Sequence, residues 1–103
     1  MAVKIIQAAD VLAAVNQGAI FIDVREEYEI EEMAYDIPNQ LQIPLGDIQR
    51  RAGEISKDHP IIVGCRSGAR SLNACGFLDM QGYNVSNLSG GIMGWSDNGF
   101  PIK

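Results

Sequence analysis

The 103-residue chain carries a formal net charge of −5, with 8 Lys and Arg against 13 Asp and Glu, and 47% of it is hydrophobic. A chain of this length builds one domain around one core, predicted over residues 1–103. The acidic balance argues against nucleic-acid or anionic-membrane partners, which need Lys and Arg to neutralise phosphates, and without a run of about 18 apolar residues no membrane span is expected.

Lys4-Ile5-Ile6 is a short apolar run, and Asp10 is placed to cap a helix over Val11–Gln17 that Gly18 would end. Ala19-Ile20-Phe21-Ile22-Asp23-Val24 predicts a buried strand, and Glu26–Met33 an acid-rich helix whose early carboxylates favour a helix start. Ile37-Pro38-Asn39 reads as a turn, Gln42-Ile43 as a very short strand before Pro44, and Leu45, Ile48 and Ala52 fall at helical spacing. Pro60–Gly64 predicts the strand that delivers Cys65. Ala69–Gln81, stopped by Gly82, predicts a helix with Leu72, Cys75 and Leu78 along one side. Tyr83–Leu88 gives a last strand, and Gly90-Gly91 breaks the chain before a short segment carrying Trp95. Strands that alternate with helices and are apolar throughout predict an α/β fold, a parallel sheet of about five strands with helices on both faces. Ligands in such folds sit at the carboxyl ends of strands, where Cys65 stands.

Gly64-Cys65-Arg66-Ser67-Gly68-Ala69-Arg70-Ser71 places a thiol beside two guanidinium groups in an otherwise acidic chain. The reactive form of a thiol is its thiolate, which needs a stabilising surround. A loop from Arg66 to Ala69 curling over the sulfur would supply backbone N–H groups, the following helix its N-terminus, and Arg66 and Arg70 positive potential. Gly68 suits the tight curl. Asp23 and Arg25, at the end of a neighbouring strand, read as an ion pair that supports this loop. A Cys–His hydrolase is disfavoured, because His59 lies at the other end of the strand, in a solvated loop. With one histidine and no Cys-x-x-Cys pair, neither metal nor cofactor is expected.

Phe21-Ile22-Asp23-Val24-Arg25-Glu26-Glu27-Tyr28, the Ile37-Pro38 and Ile43-Pro44-Leu45 pair, Cys65–Ser71, and Gly90-Gly91-Ile92 with Trp95 and Pro101 resemble the ordered landmarks of a single-domain rhodanese. The resemblance implies a rhodanese fold and sulfurtransferase activity with Cys65 as the persulfide-forming residue. It makes Arg66, Ser67, Gly68, Ala69 and Arg70 the substrate-binding loop, with Arg70 on the sulfonate of thiosulfate. A thiol, cyanide or a sulfur-carrier protein would be the acceptor. The chain departs from the family at Tyr35-Asp36, where Gly-His is usual, and at Asn39-Gln40, where Gly-Ala is usual.

Two other function classes stand beside this one. A cysteine phosphatase also sets a thiolate in a loop ahead of a helix, but with five residues between Cys and Arg, where Cys65 and Arg70 have four; a non-catalytic interaction module would be marked by loss of the cysteine. Cys75 reads as core packing, the acidic run Glu26, Glu27, Glu29, Glu31 and Glu32 as a solvated helix face, and Trp95 as core. Two cysteines without an apolar N-terminal signal segment fit a reducing, cytoplasmic setting.

Overall fold

The computed structural model describes residues 3–103; Met1 and Ala2 of the predicted domain lie outside the described residues. The apolar runs become five strands: β1 (Lys4–Ile6), β2 (Ile20–Asp23), β3 (Leu41–Gln42), β4 (Ile61–Gly64) and β5 (Val85–Leu88). They form one sheet in the order β1-β5-β4-β2-β3, and every neighbouring pair is parallel. Each parallel crossover carries the chain over a face of the sheet, so the central strands are enclosed and have no reason to alternate polar with apolar residues, whereas the edge strand β1 stays largely exposed. All four residues of β4 are buried.

The pleat sends successive side chains to two separate cores. Ile61, Val63 and Cys65 join Ile22, Val24, Ile48, Cys75 and Leu78 on one face, whereas Ile62 joins Phe21, Val11, Val15, Tyr35 and Trp95 on the other. The first face is covered by α3 (Ile48–Arg51) and α4 (Ala69–Met80), the second by α1 (Ala8–Asn16) and α5 (Gly91–Asp97). The remaining helix, α2 (Glu27–Glu32), follows β2. The expected parallel sheet with helices on both faces is therefore present.

Three local expectations change. Helix α1 starts at Ala8 behind an extended Gln7, so Asp10 lies in its first turn instead of capping it. Strand β3 is Leu41–Gln42, one residue earlier than expected; Ile43 continues the ladder by donating its N–H to the Asp23 carbonyl at 3.0 Å. On α4 the buried face is Ser71, Ala74, Cys75 and Leu78, and Leu72 is 50% exposed. Ser71 turns its hydroxyl inward to Cys65, and that rotation carries Leu72 to the outside.

A short antiparallel contact ties residues near the C-terminus to the segment after α2. Tyr35 bridges Ile102, Ala34 and Lys103 exchange N–H to carbonyl bonds of 2.8 and 2.9 Å, and the Asp36 N–H donates to Pro101 at 3.0 Å.

Candidate active site

β4 ends at Gly64 and places Cys65 at the carboxyl edge of the sheet, between β2 and β5. The loop that follows is tied down from behind. The Cys65 carbonyl accepts from the Tyr35 phenol at 2.7 Å and from the Ile92 N–H at 2.9 Å, and the Arg66 carbonyl accepts from the Met93 N–H at 3.1 Å. Gly91 allows this approach: it has φ +57°, and a Cβ there would lie 2.4 Å from the Arg66 oxygen. Tyr35 is fully buried, edge-on to Phe21 and Trp95. The departure at Tyr35-Asp36 thus puts a phenol behind Cys65. The turn after it is closed by Gln40, whose Nε2 donates to the Tyr35 and Ile37 carbonyls.

Around the sulfur, the Gly68 N–H donates to Cys65 Sγ at 3.0 Å and the Ser71 hydroxyl lies 3.3 Å away. Gly68, with φ +114°, turns the chain into α4. Burial alone would raise the thiol's pKa. It is instead held below its ordinary value by the Ser71 hydroxyl and by the Ser71, Gly68 and Ser67 N–H groups together. The stabilisers are hydrogen bonds, the N–H groups among them as expected from sequence, and the added positive potential expected of Arg66 and Arg70 is not among the causes. Ser71 also reaches the Gly68 carbonyl at 3.1 Å and Asn87 Oδ1 at 2.5 Å, and Asn87 Nδ2 donates to the same Gly68 carbonyl at 3.2 Å.

Arg70 is committed elsewhere. Its Nη1 and Nη2 donate to Glu29 Oε1 and Oε2 at 2.7 and 2.8 Å. This fork holds the Glu29 carboxyl down at about 2, with the Glu26 N–H, 3.1 Å from Oε1, adding to the effect. The expectation of an acidic run facing solvent holds for Glu26, Glu27, Glu31 and Glu32. Glu29 is the exception, its side chain only 11% exposed. Asp23 and Arg25 form a buried ion pair at 2.8 Å, and Arg25 Nη1 reaches the Glu29 carbonyl at 3.3 Å. Arg66, Ser67 and Ala69 are exposed on the rim. Arg66 makes no ion pair among the described residues, and it faces Glu32 and Met93 across a cavity of about 190 Å³.

Cys75 is buried and its thiol is pushed up to about 12, by burial first, which fits the packing role expected of it; both cysteines are free. His59 is exposed beside the Gly18 carbonyl, at the start of β4. Among the described residues there is no cluster of His, Cys, Asp and Glu able to hold a metal, and no helix long and apolar enough to cross a membrane. From sequence, Ser71, Asn87, Glu29 and Tyr35 carry no expected site role. A polar residue within the buried run Val85–Leu88 was the available signal for Asn87, and the break in the family pattern was the signal for Tyr35.

The rhodanese-like domain family matches residues 7–98. A sulfurtransferase of Allochromatium vinosum is 43% identical over 88 residues, covering 84% of this chain and 80% of that protein. The thiosulfate sulfurtransferase GlpE of Haemophilus influenzae is 35% identical over 92 residues, covering 84% and 82%. A crystal structure of a rhodanese-related protein from Thermoplasma volcanium superposes with a TM-score of 0.88 at 30% identity, covering 97% of each chain. Sequence through residues 7–98 and backbone through nearly the whole chain agree, and the protein is a member of the rhodanese family.

Proposed function

We propose that this rhodanese is a sulfurtransferase in which Cys65 carries sulfur as a persulfide. The observation that carries the reading is the set of N–H and hydroxyl donors around Cys65 Sγ, which stabilises a thiolate. Relatives that are sulfurtransferases, one of them acting on thiosulfate, support it.

In the first half-reaction the Cys65 thiolate attacks the outer sulfur of the donor. With thiosulfate the S–S bond breaks and sulfite leaves with the electron pair; with an alkyl persulfide the alkyl thiolate leaves. In the second, a nucleophilic acceptor such as cyanide, a small thiol or the thiol of a sulfur-carrier protein takes the terminal sulfur, and the bonding pair returns to Cys65. Atoms and electrons balance without a redox cofactor. Arg66, Ser67, Gly68, Ala69 and Arg70 form the wall against which the donor lies, and Asp23 with Arg25 supports it from below. The two free thiols fit a reducing compartment such as the cytoplasm.

Incubation with a sulfur donor followed by intact-protein mass spectrometry tests the reading. The protein is expected to gain the mass of one sulfur atom, lose it to dithiothreitol, and fail to gain it as Cys65→Ser. An unchanged mass under conditions that load a known sulfurtransferase overturns it. The same preparation is expected to leave aryl phosphates intact, since the shorter loop does not suit a tetrahedral phosphoryl group.

A further inference from the structure

Arg70 closes the Cys65 loop, and the family resemblance makes it the residue to grip an anionic donor. In the structure both its outer nitrogens are already occupied by Glu29, at 2.7 and 2.8 Å. This is the fork-to-fork geometry that a sulfonate would itself require. Glu29 is held in place for the task, with the Glu26 N–H on Oε1 at 3.1 Å and Arg25 on its backbone carbonyl at 3.3 Å. To bind a donor through Arg70, an incoming anion has to break a half-buried pair, Glu29 11% and Arg70 35% exposed, and leave the Glu29 carboxylate beside a second negative charge.

The surroundings add to the effect. Helix α2 lies alongside the loop through the Glu29–Arg70 bridge and exposes Glu26, Glu27, Glu31 and Glu32. Glu32 shares the cavity beside the loop with Arg66, the one loop cation without an ion pair among the described residues. Glu29 cancels Arg70, and in the cavity Glu32 stands against Arg66, while the other cation there, Arg25, is paired with Asp23. A dianion approaches this flank against the local potential, whereas a neutral donor is indifferent to it.

We infer that Glu29 is a specificity-determining residue: by clasping Arg70 it matches the Cys65 loop to sulfur donors of low negative charge, the class of alkyl persulfides, over the thiosulfate dianion. The inference rests on the sulfurtransferase reading and names the donor class for the same site.

The experiment measures the rate of Cys65 persulfide formation by mass spectrometry, over a range of thiosulfate and of hydroxyethyl persulfide, in the wild type, Glu29→Gln and Arg70→Ala. Glutamine keeps the acceptor for the Glu26 N–H, so α2 retains its cap while the charge that holds Arg70 is removed. Glu29→Gln is expected to raise the ratio of kcat/KM for thiosulfate to that for the persulfide on the order of tenfold, mainly through a lower thiosulfate KM. Arg70→Ala is expected to lower both donors in similar proportion, because the clasped guanidinium contributes to loop shape and not to anion binding. An unchanged ratio in a folded Glu29→Gln, or a loss in Arg70→Ala confined to thiosulfate, overturns the inference while leaving the sulfurtransferase reading intact. A wild-type protein that takes sulfur from neither donor overturns the sulfurtransferase reading itself. If Glu29→Gln does not fold, the Arg70→Ala comparison alone decides.

Discussion

Ser71 has one hydroxyl hydrogen and three acceptors within 3.3 Å: Cys65 Sγ, the Gly68 carbonyl and Asn87 Oδ1. While Cys65 is a thiol it can donate to Ser71, which passes its own hydrogen to Asn87. When Cys65 ionises, that hydrogen is worth more on the sulfur, because a hydrogen bond to a charged group is about twice as strong as a neutral one. Ser71→Ala should therefore shift the pH profile of iodoacetamide alkylation upward. At neutral pH it should slow sulfur uptake by roughly ten- to a hundredfold, the scale of one charge-assisted bond of about 1.5–3 kcal/mol. Cys75→Ser should do the opposite: sulfur transfer is retained, and urea denaturation shows a loss of about 1–3 kcal/mol for a hydroxyl buried without a partner. The six consecutive residues Cys65–Arg70 can be proposed as a site from sequence because anion stabilisation leaves its mark in a contiguous loop. Glu29 and Tyr35 cannot, since nothing in their own neighbourhoods states which distant group they meet. Glu29 in particular is indistinguishable in sequence from the four carboxylates around it that face water.

At the scale of elements, the site is a joint between β4, α4 and the start of α5. The joint is tightest at Gly91, where a Cβ would come within 2.4 Å of the Arg66 oxygen and 2.7 Å of the Cys65 oxygen. Both are backbone atoms with no freedom to swing aside, and φ +57° already disfavours a side chain. Gly91→Ala should destabilise the fold by about 2–4 kcal/mol, measured by urea denaturation, and slow persulfide formation as the loop is displaced. Strands and helices were readable in order because hydrophobic runs and glycine stops are local signals. The orientation of α4 was misread for a physical reason. Leu72, Cys75 and Leu78 satisfy helical spacing, but so do Ser71, Ala74, Cys75 and Leu78, and the second set wins because the loop needs a hydroxyl beneath the sulfur. A small polar residue at a helix start carries no hydrophobic signature, so pattern alone favours the leucine.

Over the whole molecule, the Glu29–Arg70 bridge joins α2 to the loop and makes that union sensitive to acid. The Glu29 carboxyl titrates at about 2 in the fold against an ordinary value of 4.5, so in acid the unfolded chain binds the proton first. The stabilisation is complete above pH 4.5 and fades as the pH falls toward 2, and stability therefore rises with pH across that window. Glu29→Gln should flatten this part of a plot of unfolding free energy against pH. The overall architecture was legible because the enclosed central strands β2 and β4 read as near-continuous apolar runs, a pattern that survives without any knowledge of contacts. The strand order β1-β5-β4-β2-β3 follows from long crossovers that no local stretch announces.

That order, together with the bridge between Tyr35 and Ile102, bears on when the thiol becomes reactive. The donors to the Cys65 sulfur, Gly68 and Ser71, are local, but the loop that carries them is held from behind by Tyr35 and Ile92 on the Cys65 carbonyl, and Tyr35 is itself clipped by residues 101–103. Such separations in sequence are slow to close, so the surround forms late in folding. Until it does, Cys65 is an ordinary thiol titrating near 8.5, with only a few per cent in the anionic form at neutral pH. On the proposed mechanism, a newly made or refolding chain thus passes through its most exposed stage chemically quiet, and Cys65 is armed only when the rest of the protein has closed behind it.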